Sequence, residues 1–200
     1  MSSALPSVRR ATPADLDVVV DVLVQSHVDY VWEQWALPWP DRAQRLARVY
    51  RGDIARLALP EGEVWMTEGG ESVAVWLPAG AWSGLDDADR AALEAVAQAE
   101  FGDRLALIEA VDAQISAARP ASAWHLATMG TRPAHQGRGL GAAVLGPRLV
   151  ALDQAGETAG LETSEIRNVA FYARLGFEVV AEVATPPHDA PHTWLMQRRP

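Results

Sequence analysis

Apolar residues recur at helical spacing near the start of the chain. Leu16, Val19, Val20, Leu23 and Val24 lie three or four positions apart, which predicts an amphipathic helix to about Ser26. Its start is marked by Thr12, which can N-cap, by Pro13, which suits the first helical position, and by Asp15 in the positive first turn. Ahead of it, Ser7–Ala11 reads as a short strand. Val28–Pro40 is aromatic and proline-broken, and helical spacing resumes from Asp41 to about Leu59. Alternation then takes over. Glu63–Glu68 and Ser72–Leu77, separated by Gly69-Gly70, predict a β-hairpin whose glycines supply the positive φ of a tight turn. Pro78-Ala79-Gly80 stops its second strand. Ala88 to about Ala118 reads as helix, interrupted near Gly102 and ended by Arg119-Pro120. Strands at Trp124–Arg132 and Ala159–Ser164 then alternate with helices from Gly139 to about Gln154 and over Asn168–Leu175. Phe177–Val183 and Thr193–Arg198 form a closing antiparallel pair across the proline-rich loop Thr185–His192. The pattern is that of a single α+β domain, without internal repeats.

Composition narrows the function. Two hundred residues, 49% hydrophobic and 22% charged, suit one globular domain and exclude a chain disordered throughout. Apolar runs such as Val18-Val19-Val20 are too short to span a bilayer, and residues 1–10 carry no apolar signal core, so the expected location is cytoplasmic. Seventeen basic against 26 acidic residues leave a charge of −9, which argues against nucleic acid or anionic membranes as partners and is compatible with a cationic small substrate. Without cysteine there is no disulfide framework, no thiolate zinc site and no acyl-enzyme through a thiol. His188 and His192 lack metal-site company, and no metal is expected.

The chemistry is concentrated in Trp124–Gly141. A strand runs into Gln136-Gly137-Arg138-Gly139-Leu140-Gly141 and then into a helix. Glycines let the backbone approach a ligand, and the unpaired N–H groups of the helix start, through Ala142, can bind phosphate oxygens with Arg138 adding charge. Taken alone, such a turn equally serves to start a helix. The glycines do not fall as a dinucleotide fingerprint, and there is no P-loop.

Two later phrases add specificity: Leu161-Glu162-Thr163-Ser164, and Asn168 followed by Tyr172, Gly176 and Phe177. Their order resembles the GNAT superfamily of acetyl-CoA-dependent N-acetyltransferases. Gln136, Gly139 and Gly141 match its Q/R-x-x-G-x-G/A pyrophosphate loop, and the later residues match N-x-x-x-x-Y-x-x-x-G-F. Within that family, Ala123–Gly130, Phe171–Phe177 and the phrases between them are most similar to the puromycin-acetylating branch, most of the chain beyond about Val64 being covered.

The resemblance implies a mixed sheet of about six to seven strands flanked by helices, with a splayed strand pair forming an acyl-CoA wedge. It implies an acceptor-side region over about residues 1–120, an acetyl-CoA core over about 121–180, and a closing strand pair over about 177–199. The acceptor amine attacks the thioester directly in a ternary complex. Met129, Gly130 and Thr131 contribute backbone groups to pantetheine and the acetyl carbonyl. Tyr172 protonates the departing thiolate, and Asn168 bonds pantetheine amides or caps its helix.

Glu162 and His125 are alternative bases, with Glu162 preferred; His125 stands where the puromycin branch has an aromatic residue. For the acceptor, Tyr30, Trp32, Trp35 and Trp124 can stack on a planar or cationic amine, with Glu33 or Asp29 holding the ammonium; equally, the tryptophans pack a helix onto the sheet. The expected partners are acetyl-CoA and a small amine, puromycin-like, in a monomer or homodimer serving antibiotic resistance. A protein lysine or N-terminal acetyltransferase, or a silent acyl-CoA sensor, are the alternatives.

Overall fold

The computed structural model describes residues 7–184 and 189–200. What the sequence suggests for residues 1–6, and for 185–188 with His188, lies outside the described residues. A seven-stranded sheet runs in the order β1-β2-β3-β4-β5-β7-β6, built from Val8–Arg10, Glu63–Thr67, Ser72–Pro78, Trp124–Thr131, Ala159–Thr163, Phe177–Val183 (β6) and Thr193–Arg198 (β7). All neighbours are antiparallel except β4 and β5.

Local chemistry accounts for most element ends. Asp15 accepts a hydrogen bond from the Thr12 backbone N–H (2.8 Å), closing a 3₁₀ turn over Pro13–Asp15 from which α1 (Leu16–His27) continues. The helix expected from Asp41 begins as α3 (Arg42–Asp53), passes through a π-helical turn at Ile54–Ala58 and ends as α4 (Leu59–Glu61). The long alanine-rich helix is broken where Gly102 adopts φ +54°, giving α6 (Asp87–Phe101) and α7 (Leu105–Ala118). Two short helices add to the expected succession, and one reading is corrected. The aromatic stretch contains a helical turn and a half, α2 (Val31–Ala36), and a short α5 (Ala81–Gly84) follows β3. In the hairpin only Gly70 has positive φ (+69°).

Alternation along β3 divides the core in two. Val73 and Val75 pack with α1 and α3, whereas Ala74 and Trp76 face α8 (Leu140–Ala155) and α9 (Ile166–Ala173). The expected opening in the sheet is present. β4 and β5 pair only at Trp124–Ala159 and His125–Gly160, then diverge. On its other edge β4 pairs with β3 through a register shift: Trp76 faces Leu126 and Val75 faces Thr128, leaving Ala127 as an extra residue. This β-bulge reverses the facing of every later side chain on β4.

Candidate active site

The loop between β4 and α8 is shaped for an anion. Gly137 and Gly139 adopt φ of +75° and +79°, a region that side chains with a Cβ enter only with strain. Gly139 precedes the first turn of α8, whose N-terminal N–H groups at Leu140, Gly141 and Ala142 have no preceding turn to bond within the helix. At Gly141 a Cβ would come within 2.7 Å of Met129 Cε, so a side chain there would have to displace the end of Met129. Gln136 donates to the Thr131 carbonyl (3.1 Å) and ties the loop to the strand end. A cavity of about 380 Å³ follows the loop and is lined in addition by His135, Phe171 and Arg174. Arg138 is exposed, donating to the Ala134 carbonyl at 3.3 Å. The glycine cradle, helix start and flanking cations fit the pyrophosphate of an acyl-CoA.

A larger cavity, about 1270 Å³, runs from this loop through the opening between β4 and β5 to the opposite face of the sheet. Tyr172 of α9 stands on the α8–α9 side. Its hydroxyl points at Met129 Sδ (3.9 Å), and its ring packs between Phe171 and Phe177. Burial pushes its phenol well above the ordinary range, so it stays protonated and able to donate. Asn168 does not cap α9, since Glu165 holds that position; it donates to Thr163 Oγ1 (3.0 Å) and fastens α9 to the end of β5.

On the other side, the two candidate bases meet. His125 Nε2 lies 2.8 Å from Glu162 Oε2, and Arg119 Nε donates to Glu162 Oε1 at 2.5 Å. Burial works to raise the Glu162 pKa, but the His125 and Arg119 contacts outweigh it and hold the carboxyl below its ordinary value. Tyr30 bridges the wedge end: its oxygen accepts from the Ser164 N–H (2.6 Å) and lies 3.1 Å from Thr163 Oγ1.

The aromatic candidates separate. Trp32 lines the cavity, with Trp35 packed against it (5.1 Å between centroids) beneath Arg104 and away from the cavity wall. Trp124 lies on the opposite face, in the core under α8, with Arg148 over its ring at 3.7 Å. Of the two ammonium candidates, Glu33 lines the cavity; Asp29 is exposed and its carbonyl accepts from Gln34.

Four cavity residues had no local signal in the sequence. His27 closes α1, Tyr50 comes from α3, Trp82 sits half exposed on α5, and Arg119 follows α7. Burial raises Glu33 to about 7 and the neighbouring Asp53 to about 6. This half of the cavity thus combines aromatic walls with the Glu33 and Glu162 carboxyls.

The model of the Acetyltransferase (GNAT) family matches residues 26–177, and the chain belongs to that family. Solved structures agree in fold. An acetyltransferase from Corynebacterium glutamicum, described with histone acetyltransferase HPA2, is 22% identical over 98% of this chain and 96% of its own, with a TM-score of 0.67. A polyamine N-acetyltransferase of Drosophila melanogaster that forms N-acetylagmatine is 16% identical over 97% and 99%, TM-score 0.58. An agmatine N-acetyltransferase is 16% identical over 98% and 100%, TM-score 0.57.

Proposed function

We propose that this GNAT acetyltransferase transfers acetyl from acetyl-CoA to a primary amine of a small molecule with an aromatic or other apolar body, a puromycin-like aminonucleoside being the first candidate. The observation that carries the reading is the continuous cavity through the β4–β5 opening, with Tyr172 on one side and an aromatic, carboxyl-bearing chamber on the other. The agmatine and polyamine acetyltransferases among the structural neighbours act on amines, which supports the class of acceptor. The phrases shared with the puromycin-acetylating branch support the finer identity and a role in antibiotic resistance; the need for acetyl-CoA supports a cytoplasmic setting.

Bound acetyl-CoA supplies an acetyl group activated as a thioester. The Gln136–Ala142 loop and the start of α8 hold its pyrophosphate, and the free edge of β4 at Met129–Thr131 pairs with the pantetheine arm. A backbone N–H near Met129 polarises the acetyl carbonyl. Holding both reactants in one cleft removes much of the entropic barrier to their meeting. Tyr172 donates its proton to the departing sulfur; burial holds its phenol well above the ordinary value, so transfer to a thiolate whose thiol has a pKa of about 8.5 needs the field of the site to assist. Glu162, kept ionised by Arg119 and His125, stabilises the positive charge that develops on the attacking nitrogen.

Thiol release from acetyl-CoA, followed with a colorimetric reagent against puromycin, a panel of other amines and a lysine peptide, tests this. The cysteine-free chain adds no background. Turnover with puromycin or a related amine is the expected result. Turnover with the peptide alone assigns a protein substrate instead, and acetyl-CoA binding without turnover on any amine leaves a sensor.

A further inference from the structure

We infer that His27, at the C-terminal end of α1, is the group that takes the proton from the acceptor amine, so that the His125–Glu162 pair is not the base. The inference rests on the transferase reading above.

The two ring nitrogens of His27 are differentiated by their surroundings. Nδ1 lies 2.9 Å from the Leu23 carbonyl. A carbonyl only accepts, so Nδ1 carries the hydrogen. Ser26 Oγ, also 2.9 Å from Nδ1, is oriented by the Val22 and Leu23 carbonyls and does not compete for that arrangement. In the neutral ring, Nε2 therefore presents a lone pair. It faces Thr128 Oγ1 at 3.4 Å, on the strand residue next to Met129, and the ring lines the cavity on the acceptor side.

Neighbours keep the ring in place and neutral. Tyr30 and Tyr50 contact it edge-on, with centroids 5.8 and 5.9 Å away. Glu33 of α2 and Asp53 of α3 act on Tyr50 behind it, and Thr128 is the facing group from β4. Burial lowers the affinity of His27 for a proton, which leaves it unprotonated at neutral pH. Glu162 differs in the closeness of its contacts: its oxygens are held at 2.5 Å by Arg119 and 2.8 Å by His125, against 3.4 Å between His27 Nε2 and Thr128.

The step balances. As the amine nitrogen forms its bond to the acetyl carbon, its N–H bond breaks and the proton passes to Nε2. The C–S electron pair leaves with sulfur, which takes the Tyr172 proton. His27 then gives its proton to water in the open cavity and Tyr172 takes one back from water, so both groups return to their starting states.

The test compares His27→Asn, whose side-chain amide can still donate to the Leu23 carbonyl, with Glu162→Gln and His125→Gln. Each is assayed by thiol release across pH with the amine the wild type uses best. His27→Asn is expected to lower kcat at least about 100-fold. It should leave the KM for acetyl-CoA within a few-fold and abolish the acid limb that remains in the kcat/KM profile once rates are expressed per unprotonated amine, whereas the other two variants retain that limb. An acid limb that persists in His27→Asn and disappears in either other variant overturns the inference, as does a limb present in all three. Should His27→Asn fail to fold, the wild type decides: the acid limb and the NMR titration of the His27 ring are expected to share a midpoint, and a separation of more than about one unit overturns it. A wild type inactive on every amine instead sinks the transferase reading, and the base assignment with it.

Discussion

His125 and Glu162 stand 2.8 Å apart, Nε2 to Oε2, at the point where β4 and β5 stop pairing and the sheet opens. Arg119 completes the set from the loop after α7, so one carboxylate joins three chain segments. Replacing Glu162 with Gln removes the charge that holds both donors. We expect kcat/KM for the amine to fall by about 10-fold or more, with a smaller change in the KM for acetyl-CoA. The folded pKa of Glu162 is depressed, so its stabilisation is present above the unfolded value and is lost as pH falls through the folded one. The difference in stability between wild type and Glu162→Gln is therefore expected to shrink in acid; denaturant melts at pH 7 and pH 3 measure it.

Tyr172→Phe keeps the ring packing against Phe171 and Phe177 and removes only the hydroxyl that points at Met129. The expected loss is in kcat, about 100-fold or more, without a comparable rise in the KM for acetyl-CoA. Near-wild-type kcat would take Tyr172 out of the reaction.

Gly130 lets α1 rest against β4. A Cβ there would lie 2.0 Å from Ser26 Oγ and 2.9 Å from Ser26 Cβ. Gly130→Ala is expected to destabilise the fold by about 1–3 kcal/mol through overpacking. Adding Ser26→Gly should recover part of that loss, after allowing for the cost of Ser26→Gly alone. A double-mutant cycle by thermal or urea unfolding detects the coupling, and strict additivity argues against the contact.

Glu33 and Asp53 are raised to about 7 and about 6 by burial, above their unfolded values. Between the unfolded and folded values the native state binds more protons than the unfolded one, so stability declines as pH rises from about 4.5 through 7. Glu33→Gln removes a buried ionisation. Its stability relative to wild type is expected to be greater at pH 8 than at pH 5, by on the order of 2–3 kcal/mol. Melts at the two pH values check the sign.

Features carried by a few consecutive residues were legible in the chain. The Gly137 and Gly139 turn, the α8 start and the paired closing strands depend on local backbone preference, and they occupy the positions that the sequence pattern assigns. The facing of β4 was not. Strict alternation puts Trp124, Leu126 and Thr128 on one side, but the extra residue at Ala127 leaves Trp124 and Leu126 toward α8 and turns Thr128 to the side of His125. Trp124 accordingly packs in the core, and Thr128 meets His27.

Taken by itself, the sequence determined the family motif, the succession of elements and the glycine turn that opens α8, because those reside in short-range backbone geometry and spacing. Only the tertiary structure decided which side chains share the large cavity. Tyr30 reaches Ser164 across 134 positions and His27 reaches Thr128 across 101, and no local pattern encodes such encounters. They follow from how α1 packs on a sheet whose central strands part and whose β4 carries one residue too many for its partner.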